Sequence, residues 1–165
     1  MVIPEDALLT AGLALAHAAW SVSDLEDGEL LCPLAMVQRS DGYQLIRYEA
    51  DSQEEAIATG KAEMSRSDPE IKAWAFAREG LFRETSGPVD AISVDFWSLG
   101  MASAGTLVQR FAPCAKAGKF RLLGEPLLVL GGVAQEPAHA QAPLQLVQAG
   151  IRQHSEVAKL WDTWQ

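Results

Sequence analysis

Asp24, Glu26, Asp27 and Glu29 crowd around Gly28, the densest group of chemically capable side chains in this 165-residue chain. Hard cations such as Ca2+ take several carboxylate oxygens, so calcium coordination is the first chemistry to test. Aligning Gly28 with the sharp-turn glycine of an EF-hand loop puts Ser23 at the first position, Leu25 at the third and Leu34 at the twelfth. The motif needs a bidentate carboxylate at that twelfth position, so the stretch reads as a solvated acidic turn. A second acidic group, Glu54, Glu55 and Glu63, follows on a segment with helical character.

The other reactive residues assemble into no motif. His17, His139 and His154 show neither HExxH nor any i, i+4 pairing that could close a metal site. Gly100-Met101-Ala102-Ser103-Ala104-Gly105 has a serine between glycines but lacks the GxSxG spacing of a nucleophile elbow, and it lies between antiparallel strands. Gly131-Gly132 runs into Val133-Ala134, without the glycines or the lysine of a phosphate-binding loop. Asp90 and Asp95, five apart on one strand, point to opposite faces and cannot work as an acid and base pair. An inward Asp95 needs a cation, and Arg78 and Arg110 are the candidates. Cys32 and Cys114 are read as two buried, reduced thiols. No catalytic, metal or cofactor residue is therefore assigned, no cofactor is expected, and the reading leans away from an enzyme.

Charge is distributed unevenly. Residues 1–70 carry fourteen carboxylates against four Lys/Arg, while residues 71–165 carry eight against nine. Direct nucleic-acid binding is disfavoured, because phosphate contacts draw on clustered cations. Arg110, Lys116, Lys119 and Arg121 form only a small basic group. The Ala- and Leu-rich stretch 7–20 is interrupted by Thr10 and His17 and falls short of the ~18 residues a membrane span requires. Glu5 and Asp6 precede it where a secretory signal would be basic, so a cytoplasmic protein with no membrane contact is expected.

The elements that must position these residues follow from period and punctuation. Pro4, Glu5 and Asp6 suit the first turn of a helix reaching about residue 20. Segments 30–39 and 43–49 read as a hairpin around Asp41-Gly42, and Pro33 places the first strand's start there or puts that strand at an edge. Ser52 and Glu55 form a capping box for a helix to about residue 67, with a thin apolar face of Ala56, Ile57, Gly60 and Met64. Strands follow at 73–82, 90–99 and 106–113, then a predicted hairpin of 119–123 with 127–130. Residues 131–150, rich in Gly, Ala, Gln and Pro, read as a loop or linker. Val157, Leu160, Trp161 and Trp164 then mark one stripe of a closing helix.

This order implies a single α+β domain over residues 1–165: an antiparallel sheet of about five to seven strands, with N-terminal, middle and C-terminal helices mainly on one face. Its first part is similar to the profilin-like and roadblock-like layouts in arrangement, a likeness from which no activity transfers.

Three functional expectations result. The first is a non-enzymatic interaction module, immunity- or inhibitor-like in its physics, whose Asp24, Glu26, Asp27, Glu29, Glu54, Glu55 and Glu63 steer a basic protein partner. The second is a small-ligand domain or enzyme with a pocket between sheet and C-terminal helix, lined by Trp161, Trp164, Phe96 or Trp74. The third is a structural homodimer formed through an uncovered sheet face or the Pro33 edge strand.

Overall fold

Alanines at 7, 11, 14, 16, 18 and 19 leave the first helix thin enough to be enclosed on several sides. That helix, α1 (Glu5–Ser23), is buried at these alanines and at Leu8, Gly12, Leu15 and Val22. In the computed structural model, residues 2–26 and 28–165 are described, with positions 115 and 116 as backbone alone.

The strands β1 (Leu34–Arg39) and β2 (Gly42–Arg47) form a hairpin closed by Arg39 opposite Gly42, whose φ of 131° disfavours any residue with a Cβ. Helix α2 (Gln53–Met64) begins as the capping signal predicts, with Ser52 Oγ accepting from the Glu55 amide at 3.1 Å. It ends shortly before Asp68-Pro69. Two long strands, β3 (Ala73–Glu84) and β4 (Gly87–Ser98), turn at Thr85-Ser86 and are followed by β5 (Gly105–Ala112). A short turn, α3 (Cys114–Ala117), leads to β6 (Arg121–Leu122), β7 (Leu127–Leu130) and β8 (Val133–Ala134). All pairings are antiparallel, in the order β2-β1-β3-β4-β5-β7-β8 with β6 also on β5. The α+β antiparallel class read from the sequence is the class observed.

Alternation sends each strand's side chains to two separate cores. Leu34, Met36, Ala75, Ala77, Ile92, Val94, Phe96 and Leu107 meet α1 on one face. Ala35, Val37, Tyr48 and Phe76 meet α2 on the other. Gly60 permits that second contact, because a Cβ there would run into the Phe76 ring. Most of the helical mass thus lies on the α1 face, with α2 alone opposite.

Several expectations need correction. Residues 131–150 are no linker: β8 and the first part of helix α4 (Pro137–Arg152) occupy them. The internal Pro143 and the Gly/Gln composition suppress local helical signal, and docking on α1 supplies what propensity withholds. The closing helix is instead two 3-10 turns, Val157–Lys159 and Trp161–Trp164, although Val157, Trp161 and Trp164 are buried as their spacing implied. The predicted hairpin of 119–123 with 127–130 does not exist. Leu122 pairs with Phe111 and Leu127 with Val108, so β6 and β7 run successively along one edge of β5, and Gln109 bridges the interruption by donating to Gly124 O at 3.1 Å. Of the two alternatives for Pro33, the strand start is the one observed: β1 begins at Leu34 and lies between β2 and β3, so it is not an edge. Cys114 is exposed at the start of α3 instead of buried, whereas Cys32 is half-buried.

Candidate functional site

Because α2 spans only part of its sheet face, a cleft of about 820 Å³ remains between the C-terminal end of that helix and β3 and β4. Volumes of about 300–1,000 Å³ are usual for small-molecule sites. Trp74 and Trp97 form its floor, directly opposite each other in the β3–β4 register and both half-buried, with Phe76 one step further along. One wall is Met64, Arg66 and the segment through Pro69 to Ile71; the other is the β4–β5 loop from Leu99 to Ala104. Backbone contacts hold the walls. The Trp97 indole N–H donates to Met101 O at 2.9 Å, and the Leu99 amide donates to Lys72 O at 3.0 Å. The cleft is built by the fold itself.

Two carboxylates line it, and both have cationic neighbours. Asp95 accepts from Arg78 Nη1 at 2.9 Å and from the Thr106 hydroxyl at 2.8 Å. Arg78 also stands 6.0 Å from the centre of the Phe76 ring, a cation–π distance. Asp68 lies 3.7 Å from Arg39 and accepts from the Glu70 amide. Asp95 is thus a carboxylate held in place by Arg78 and Thr106. Ser103 lies on an antiparallel hairpin loop within the cleft, and no histidine lines the cleft to activate it.

Trp74 and Phe76 share a face, as their alternation implied, but that face is opposite to the one carrying Ile92, Val94 and Phe96. Strand bounds of 73–82 and 90–99 alone do not define which residues of the two strands are opposite. A two-residue turn at Thr85-Ser86 places Trp74 and Trp97 opposite one another. The predicted pocket against the C-terminal segment is a smaller cleft of about 400 Å³ that Trp161 lines. Phe96 and Trp164 are core residues, and Trp74 belongs to the other side of the sheet.

The acidic residues are distributed as follows. Asp24, Glu26 and Glu29 are exposed beyond the end of α1, and Glu29 Oε1 accepts from the Glu26 amide at 2.9 Å. Asp27 lies outside the described residues. Glu54 and Glu55 are exposed in the first turn of α2. Gln53 Nε2 donates to Leu31 O at 2.9 Å, which brings the start of α2 beside the segment leaving the acidic loop. Glu63 does not join them. It lies nine residues along the helix, roughly 13 Å at 1.5 Å per residue, near Tyr48, where burial first and Glu63 second push the phenol pKa upward. Of the small basic group, Arg110 is paired with Glu84 at 2.7 Å, Lys119 and Arg121 are exposed, and the Lys116 side chain lies outside the described atoms.

One cluster had no sequence signal. His17 Nδ1 and His154 Nε2, separated by 137 positions, approach to 3.1 Å, with the Trp20 ring edge-on to both. The Val157 amide donates to His154 Nδ1 at 3.2 Å, which leaves His154 Nε2 to carry the proton toward His17. Burial, then His154, then Arg47 lower the His17 pKa; burial is the leading cause of the lowered His154 pKa. Among the described residues, no helix is long and apolar enough to cross a membrane.

Comparison with protein-family models, curated proteins and solved structures finds no match for this chain.

Proposed function

We propose that the chain is a small-ligand-binding domain whose site is the cleft between α2 and the β3–β4 hairpin. The observation that carries this reading is the Trp74–Trp97 floor, with two large aromatic side chains opposite each other in the strand register and only half covered, inside a walled cleft. Aromatic surface left accessible inside a walled concavity is the usual composition of a ligand site. Asp95, Arg78 and Thr106 serve as a rigid polar base beside that floor. The test is a thermal-shift screen of a metabolite library against the native chain and Ala102→Trp, a change on the exposed loop that puts an indole into the cleft. A ligand that raises the native melting temperature and leaves the variant's unchanged supports the reading. Equal shifts in both, or none, would rule out the cleft.

Docking of a basic protein on the acidic end is a second reading, favoured by the Gln53–Leu31 contact that draws Glu54 and Glu55 toward Asp24, Glu26 and Glu29. None of these five carboxylates is in an ion pair among the described residues. Uncompensated like charge on one surface speeds encounter with an oppositely charged partner. Reversal of Glu54 and Glu55 to lysine would slow association with that partner at low salt; an unchanged on-rate would exclude the surface.

A further inference from the structure

We infer that the cleft selects a small organic anion with a flat apolar body, such as an aryl or polycyclic carboxylate or sulfonate. The inference rests on the cleft being a ligand site, and it follows from the charges around that site. Four ionised side chains line the cleft: Lys61, Arg66, Asp68 and Asp95. The two carboxylates have cationic partners within the protein, Asp95 in Arg78 at 2.9 Å and Asp68 in Arg39 at 3.7 Å, a guanidinium shared with Glu70 at 3.6 Å, so that Arg39, Asp68 and Glu70 together leave one negative charge against the two positive charges of Lys61 and Arg66. Lys61 and Arg66 are in no ion pair among the described residues, and both are exposed.

The uncompensated charge of the cleft is therefore positive, in a chain whose net charge is −9. General solubility does not require this sign here. The surrounding negative field would repel an anion from most of the molecule and leave these two cations as its local anchor. Both belong to the end of α2 and the residues just after it, on the rim, while Trp74 and Trp97 form the floor. An occupant that satisfies both must place an acidic group at the rim and a flat apolar body on the indoles. A small inorganic anion would leave the aromatic floor uncovered, and a neutral hydrocarbon would leave the cations unanswered. The guanidinium of Arg66 can hold a carboxylate or sulfonate by two parallel hydrogen bonds.

Two fluorescent probes with one ring skeleton separate the terms: 8-anilinonaphthalene-1-sulfonate, an anion, and N-phenyl-1-naphthylamine, its neutral counterpart. Each is titrated into the native chain, a Lys61→Ala/Arg66→Ala double variant and Ala102→Trp, with circular dichroism confirming that each variant is folded. The expected result is tighter binding of the sulfonate to the native chain, weakened about tenfold in the double variant and by added salt. The neutral probe should be indifferent to both changes, and Ala102→Trp should remove both probes. Equal binding of the two probes, lost in Ala102→Trp but untouched by the double variant, would overturn the anion preference while leaving the cleft as a ligand site. Binding unaffected by Ala102→Trp, or no binding of either probe, would overturn both.

Discussion

Asp95 illustrates how much one side chain's neighbours decide. On sequence alone it is a carboxylate in need of a cation, with Arg78 and Arg110 both eligible; in the fold it accepts hydrogen bonds from Arg78 and Thr106 and is only partly exposed. Replacing Asp95 by Asn should cost about 2 kcal/mol in urea unfolding, the usual worth of hydrogen bonds to a charged group. The Arg78→Leu/Asp95→Leu pair should cost less than the two single changes added together, because neither partner is then left unanswered. His17 and His154 make a second residue-scale case. Their folded pKa values lie below the ordinary imidazole value of 6.5, so the unfolded chain takes up protons more readily. Their contribution to stability is complete above that value and is lost as pH falls through it toward the lower folded pKa values. Melting temperature should therefore decline from about pH 7 to pH 5, and His154→Gln should flatten much of that slope. A slope unchanged in the variant would remove the pair as its source.

Among the elements, α4 depends on a single crossing. Gly12 of α1 and Gly150 of α4 sit where the helix backbones touch: a Cβ on Gly12 would collide with Val147 O, and one on Gly150 with Leu9 O. By intrinsic propensity, alanine in place of a helical glycine gains about 1 kcal/mol. Overpacking against backbone costs about 1–3 kcal/mol, and here neither helix can yield without leaving the other. Gly12→Ala and Gly150→Ala should each lower stability and speed hydrogen exchange across residues 137–152 before the sheet. A stabilised variant would refute the close crossing. This same crossing explains why the part of α4 within residues 131–150 reads as linker in sequence. The helix rests on a partner 135 to 141 positions away, and Pro143 argues locally against it.

For the whole molecule, the relevant quantity is its net charge of −9, with fourteen carboxylates before residue 71. Glu54 and Glu55 at the start of α2 stand beside the segment that follows Asp24, Glu26 and Glu29. Like charges repel one another through solvent, so screening should stabilise the fold. Raising salt from about 20 mM to about 300 mM shortens the screening length from roughly 20 Å to under 10 Å and should raise the melting temperature by a few degrees. Reversal of Glu54 and Glu55 to lysine should give part of that gain at low salt. A melting temperature that falls with salt would mean that attraction, and not repulsion, dominates the surface.

What the sequence determined by itself is what short-range chemistry controls. The helix-initiating signals at Pro4 to Asp6 and at Ser52, the tight turn before Gly42, the alternation within each strand, and the α+β class all depend on neighbours within a few positions. The accumulation of negative charge before residue 70 was equally legible. Tertiary structure alone decided that β1 lies inside the sheet, that β6 and β7 share one edge of β5, and that α4 is a helix. It also decided that Trp74 meets Trp97 and that His17 meets His154. The reason is physical: a turn or a cap is stabilised by groups already adjacent along the chain. A cleft, a buried pair or a proline-bearing helix exists only once distant surfaces have been brought together by burial, and no local pattern records which surfaces those are.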